Sequence, residues 1–137
     1  MKKVMTLMCA DLFHTGHLNL LERAKNLGDI LIVGLPTNWT IKEHTKGKDM
    51  VMSAEERLRI VQSCRYVDFA FIYTDVPSAE RSIELLKPDL YVRGDDWVDF
   101  PAKEKIVELK IPIKYLPYTL GVSTTDIRKR CIELSEK

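Results

Sequence analysis

Apolar and polar positions along this chain come in blocks whose lengths and periods alternate between those of strands and those of helices. Residues 3–9 form an apolar run of strand length. Leu18, Leu21, Ala24 and Leu27 then recur at the spacing of one helix face, which predicts a helix over 17–28. Gly28 stands where that helix is expected to stop, and residues 29–34 read as a second buried strand. Residues 37–52 are polar and lysine-bearing without clean periodicity, so a loop with at most a short helix is expected. Ser53-Ala-Glu-Glu56 has capping-box spacing and opens a helix to about Ser63. Further strands are expected at 68–73, 89–93 and 113–116, and further helices at 78–86, 101–110 and 123–134.

Strands joined by helical crossovers form a parallel sheet covered on both faces. The expected fold is therefore α/β: a Rossmann-like, doubly wound, five-stranded parallel sheet in a single domain. A length of 137 residues suits one hydrophobic core. Ligands of such sheets sit beyond the C-terminal strand ends, which directs attention to the loops after strands one, four and five.

The first of these loops runs through Cys9, Ala10 and Asp11 to His14 and His17. A helix N-terminus there offers unpaired N–H groups and partial positive charge, so it can hold phosphate, and two imidazoles can add donors. Arg93, Gly94, Asp95, Asp96 and Trp97 follow strand four. Tyr118, Gly121, Ser123, Thr124 and Thr125 follow strand five and lead into a second helix N-terminus with three hydroxyls. Lys46 and Lys48 lie in the long polar segment, where a basic arm could fold over bound phosphates.

Composition narrows the class. A net charge of +1 gives no general affinity for nucleic acid, and no apolar run approaches the 18 residues of a membrane span. Three cysteines without CxxC spacing (Cys9, Cys64, Cys131) point to reduced thiols in the cytoplasm rather than disulfides or structural zinc. The N-terminus lacks the pattern of a signal peptide.

Taken in order, His14-Thr-Gly-His17, Leu21-Glu-Arg-Ala-Lys25 with Leu27-Gly-Asp29, Arg65-Tyr-Val-Asp68, Lys87-Pro-Asp89, Gly94-Asp-Asp-Trp97 and Gly121-Val-Ser-Thr-Thr125 resemble the cytidylyltransferase family of the HxGH nucleotidyltransferase superfamily. Length and motif content are most similar to bacterial glycerol-3-phosphate cytidylyltransferases. Met8-Cys9-Ala10-Asp11 and the Tyr118 ending instead resemble cytidylyltransferases of phosphonates and phosphoamines, and Asn38 stands where the family usually has aspartate.

The resemblance implies transfer of CMP from CTP to a small phosphorylated or phosphonate acceptor, with release of pyrophosphate. It implies that His14 and His17 stabilise the transition state together with Lys46 and Arg128. Cys9, Ala10, Asp11, Arg93, Gly94, Asp95, Asp96, Tyr118, Gly121, Ser123, Thr124 and Thr125 would hold the nucleotide. Asp11, Asn38, Lys46, Lys48, Arg65, Asp68 and Trp97 would serve the acceptor, and Asp11 would anchor Mg²⁺. A homodimer meeting near residues 65–68 is also implied. Glycerol 3-phosphate, phosphocholine, phosphoethanolamine and 2-aminoethylphosphonate stay open as acceptors. ATP as donor and a nucleotide sensor without turnover stay open as other functions.

Overall fold

The computed structural model describes residues 1–44, 49–94, 100, 102–117 and 119–137. In it β1 (Lys3–Leu7), β2 (Ile30–Pro36), β3 (Phe69–Tyr73), β4 (Leu90–Gly94) and β5 (Ile113–Leu116) form one sheet in the order β3-β2-β1-β4-β5. Every pairing is parallel. The helices are α1 (Thr15–Lys25), α2 (Asn38–His44), α3 (Ala54–Ser63), α4 (Val76–Leu86), α5 (Lys103–Glu108) and α6 (Thr124–Ser135). This is the expected doubly wound α/β sheet.

Because side chains alternate across a strand, the sheet feeds two cores. Val4, Leu31, Val33 and Leu35 pack with Leu21 and Ala24 of α1 and Val61 of α3. Met5, Leu7 and Ile32 pack on the other face with Ala79 and Ile83 of α4 and Ile106 of α5. Strands buried on both faces explain the unbroken apolar runs in the sequence. The order in which strands are added reverses between β1 and β4, and this switch point opens the crevice that holds ligands in such folds.

Several boundaries differ from expectation for identifiable reasons. β1 ends at Leu7 rather than residue 9, and Ala10 and Leu12 then adopt left-handed φ values of 57° and 50°. Two non-glycine residues in that region mark a turn held in place by its surroundings. α1 starts at Thr15, two residues early, because the His14 side chain caps it. Its C-cap is Asn26, so Gly28 is not the stop; a Cβ at Gly28 would lie 2.6 Å from Val4 Cγ2, and the residue allows close approach to β1. β2 runs on to Pro36 because Leu35 and Pro36 pair with Ile72 and Tyr73 of β3. α2, seven residues long, is the short helix that the polar segment allowed. Thr37 Oγ1 accepts from Thr40 N at 3.2 Å, and the Thr40 hydroxyl donates onward to Thr74 O at 2.5 Å. α4 starts at Val76 instead of Ser78, since Asp75 supplies the cap by accepting from Ser78 N at 2.7 Å.

Candidate active site

α1 opens with an interlocked pair of histidines. His14 Nδ1 accepts from Gly16 N at 3.0 Å, and His17 Nδ1 accepts from His14 N at 3.1 Å. The result is a capping box built from two imidazoles, their rings stacked with centroids 3.8 Å apart. Gly16 makes it possible: a Cβ there would come 2.8 Å from His14 Cε1 and 3.0 Å from His14 Nδ1.

The arrangement fixes protonation. Each Nδ1 is occupied as an acceptor, so the neutral tautomer carries its proton on Nε2. Burial pushes the His17 pKa down to about 4, with the neighbouring His14 adding to the effect, and burial also lowers His14. At neutral pH the pair therefore presents two uncharged Nε2–H donors at a helix N-terminus. Such donors are set before an anion arrives and need no reorganisation to stabilise developing charge.

Two cavities flank the loop after β1. The first, about 200 Å³, lies at the switch point and is lined by Cys9, Gly16, His17, Arg93, Gly94 and Thr119 among others. Arg93 is braced there, its Nη1 3.4 Å from Leu7 O and its guanidinium 4.4 Å above the Phe100 ring. The second, about 350 Å³, is lined by Cys9, Asp11, Ile41, Thr124, Thr125 and Arg128, with Asp49 and Met50 completing it. Cys9 belongs to both walls. Burial raises its thiol pKa, which leaves it a packing group and not a nucleophile.

The expected site residues thus fall into groups. Cys9, His17, Arg93 and Gly94 meet in the first cavity, and Cys9, Asp11, Thr124, Thr125 and Arg128 meet in the second. Ala10 is buried in the core below them. Ser123 caps α6 by accepting from Asp126 N at 3.0 Å, and Gly121 lies in the turn before it. Lys46, Lys48, Asp95, Asp96, Trp97 and Tyr118 lie outside the described residues.

Four of the expected site residues have partners within the fold. Asp11, 5% exposed, accepts from Met52 N through Oδ1 and from Val51 N through Oδ2, each at 3.0 Å, and Arg128 Nη2 lies 3.7 Å from Oδ2. Its oxygens are engaged in fastening the 51–52 segment, and its backbone carbonyl accepts from Thr124 Oγ1 at 2.9 Å. Among the described residues no three His, Cys, Asp or Glu side chains are grouped to hold a metal. Asn38 is also committed, accepting from Arg57 at 2.7 Å and donating to Met52 O at 3.1 Å. Arg65 and Asp68 precede β3, at the opposite end of the sheet from the cavities. There Asp68 pairs with Lys25 at 2.6 Å and accepts from Leu31 N at 2.8 Å, while Arg65 donates to Tyr66 Oη.

Sequence reading missed Arg57. It is fully buried and donates to Cys9 O at 2.9 Å, Pro36 O at 2.7 Å and the Asn38 side chain. Its signal was available: Ala54, Arg57 and Val61 share one helix face, and all three are buried.

With the histidine pair and switch-point cavity in place, comparison with known proteins is direct. The cytidylyltransferase-like family pattern matches residues 8–130. The chain belongs to the cytidylyltransferase-like family. It is a nucleotidyltransferase. It is 38% identical over 129 residues to glycerol-3-phosphate cytidylyltransferase of Bacillus subtilis (strain 168), covering 94% of this chain and 96% of that protein. It is 34% identical to ethanolamine-phosphate cytidylyltransferase of Dictyostelium discoideum, covering 90% of this chain but 36% of that protein. Among solved structures, a lipopolysaccharide core biosynthesis protein of Thermoplasma volcanium GSS1 superposes with a TM-score of 0.70 at 27% identity, covering 87% of this chain and 97% of that one.

Proposed function

We propose glycerol 3-phosphate as the acceptor in the reaction this cytidylyltransferase carries out, the transfer of CMP from CTP to a small phosphorylated compound. The observation that carries the reading is the pair of Nε2–H donors beside a cavity at the switch point, in a chain similar over nearly its whole length to a glycerol-3-phosphate cytidylyltransferase. The first cavity is assigned to base and ribose. The second is assigned to the triphosphate, which meets Thr124, Thr125, Arg128 and the N-terminus of the twelve-residue α6. Lys46 and Lys48 are assigned to phosphate oxygens, and Asp95, Asp96, Trp97 and Tyr118 to the nucleotide and acceptor, as the family resemblance implies.

An acceptor phosphate oxygen attacks the α-phosphorus. A new P–O bond forms, the α–β bridging P–O bond breaks, and pyrophosphate leaves with the electron pair. The nucleophile is already anionic, so no side chain has to remove a proton. His14 and His17 donate to the transferring phosphoryl group, and the two cavities hold the nucleotide on either side of the β1 loop. Mg²⁺ would enter with the triphosphate as its counter-ion. The proposal further takes the enzyme as a cytoplasmic homodimer, consistent with three free cysteines and with the open edge of β3, where Phe69 is 50% exposed.

Pyrophosphate release with CTP or ATP across glycerol 3-phosphate, phosphocholine, phosphoethanolamine and 2-aminoethylphosphonate tests the proposal. CTP with glycerol 3-phosphate is expected to give the highest kcat/KM. His14→Ala and His17→Ala should each lose about 10²–10³-fold in kcat, the scale of one removed transition-state donor. Unchanged turnover in both variants would sink the assignment.

A further inference from the structure

Thr6 is fully buried in β1, and its Oγ1 has no hydrogen-bond partner among the described residues. Val4, two residues before it on the same face of the strand, packs into the apolar core. A valine at position 6 would fill the same slot with no polar atom. A hydroxyl held there unbonded forfeits the hydrogen bond it makes in water, so the fold gains nothing from it. A partner from outside the chain accounts for such a group.

The first cavity is where that partner enters. Thr6 lines it, followed on the strand side by Leu7, Met8 and Cys9, with Gly16, His17 and Leu20 on α1. α1 carries the chain from the end of β1 back to the start of the parallel β2, so it runs against β1. Leu20 therefore lies about one turn below His17, and Thr6 is the lining strand residue farthest from the C-terminal edge of the sheet. The cavity descends between β1 and α1, and Thr6 and Leu20 form its floor. Gly94, Pro117 and Thr119, at the ends of β4 and β5, stand at its mouth.

We infer that the Thr6 hydroxyl hydrogen-bonds the polar edge of the cytosine ring of CTP. The inference rests on the assignment of this cavity to base and ribose, and of the transferring phosphoryl group to His14 and His17. With the α-phosphate held at the first turn of α1, the ribose occupies the mouth and the base extends to the floor. Leu7, Met8, Leu20 and Pro117 give the flat ring apolar walls. The ring edge carries an amine, a ring nitrogen and a carbonyl, and a hydroxyl can meet these as acceptor or donor. Because it rotates to suit either role, Thr6 anchors a pyrimidine edge without by itself separating cytosine from uracil.

The experiment is calorimetric titration of Thr6→Val with CTP, no acceptor present, beside thermal unfolding of the ligand-free variant. Valine keeps the shape of threonine and removes the hydroxyl. The CTP Kd is expected to rise about tenfold, the scale of one hydrogen bond lost in a buried site. Tm is expected to stay level or rise, since an unbonded buried hydroxyl has gone. Thr6→Ser keeps the hydroxyl and should hold the CTP Kd within about threefold of wild type. With dCTP in place of CTP, Thr6→Val should weaken binding by the same factor; a loss confined to CTP would put the hydroxyl on the ribose 2′-hydroxyl and overturn the base contact. A lowered Tm with an unchanged CTP Kd, or equal losses of affinity in Thr6→Val and Thr6→Ser, would make Thr6 a structural residue and overturn the inference, leaving the proposed function intact. A wild-type protein that binds ATP and not CTP would overturn the proposed function itself.

Discussion

Replacing Gly16 with alanine should separate activity from stability more cleanly than replacing either histidine. The new Cβ would sit 2.8 Å from His14 Cε1 and 3.0 Å from Nδ1, well inside van der Waals contact, with Val122 Cγ1 at 3.3 Å on the other side. The imidazole is the free end of a side chain, so it swings away and the fold survives. In swinging it gives up the 3.0 Å cap bond from Gly16 N and the 3.8 Å stack on His17. Loss of an N-cap costs about 1 kcal/mol, and alanine returns part of this through its lower backbone entropy in the unfolded chain. Net destabilisation should therefore be no more than about 1 kcal/mol, lowering Tm by roughly 3–5 °C in a chain of this size. The displaced ring no longer aims its Nε2–H at the transferring phosphoryl group, so kcat should fall about 10²-fold. Differential scanning fluorimetry and a coupled pyrophosphate assay measure the two quantities on one preparation. A variant with wild-type kcat would refute the claim that the interlocked capping box orients the catalytic donors.

Two further outcomes follow from the same geometry. The folded chain holds His17 neutral down to about pH 4, whereas the unfolded chain takes up a proton near 6.5, so stability is lost as pH falls through that window. At about 1.4 kcal/mol per unit the loss is at most about 3 kcal/mol; urea unfolding at pH 7 and 4.5 should show a larger drop for wild type than for His17→Asn, and an equal drop would refute the burial argument. Asp11→Asn keeps one acceptor oxygen and gives up the other, so it should lower stability by about 1–2 kcal/mol while leaving the Mg²⁺ concentration for half-maximal activity unchanged; a several-fold rise in that concentration would make Asp11 a metal ligand after all.

The alternation of strands and helices was readable because each strand of a twice-covered sheet must be an apolar run, and because Ser53 and Glu56 fasten their helix with local bonds only. Histidine is outside the usual capping set, and the capping role of His14 needs Gly16 and His17 in register. The bounds of α2 were not readable because a polar seven-residue helix is held by tertiary bonds, here from Thr40 to Thr74 O across 34 positions. Asp11 looked like a free carboxylate for the same reason: the amides that satisfy it come from residues 51 and 52. Arg57 was overlooked because a charge on a helix reads as solvent-facing unless its periodicity is checked against its neighbours. Grouping of the motifs by cavity required the three-dimensional path of the β1 loop.

That path has a thermodynamic consequence. Cys9 faces a cavity on either side, so one thin partition separates the base and ribose assigned to one from the triphosphate assigned to the other. A displacement of the partition that widens one cavity narrows the other, so the two parts of the nucleotide are not accommodated independently. A bulkier side chain at residue 9 would therefore weaken CTP binding through both parts of the molecule at once.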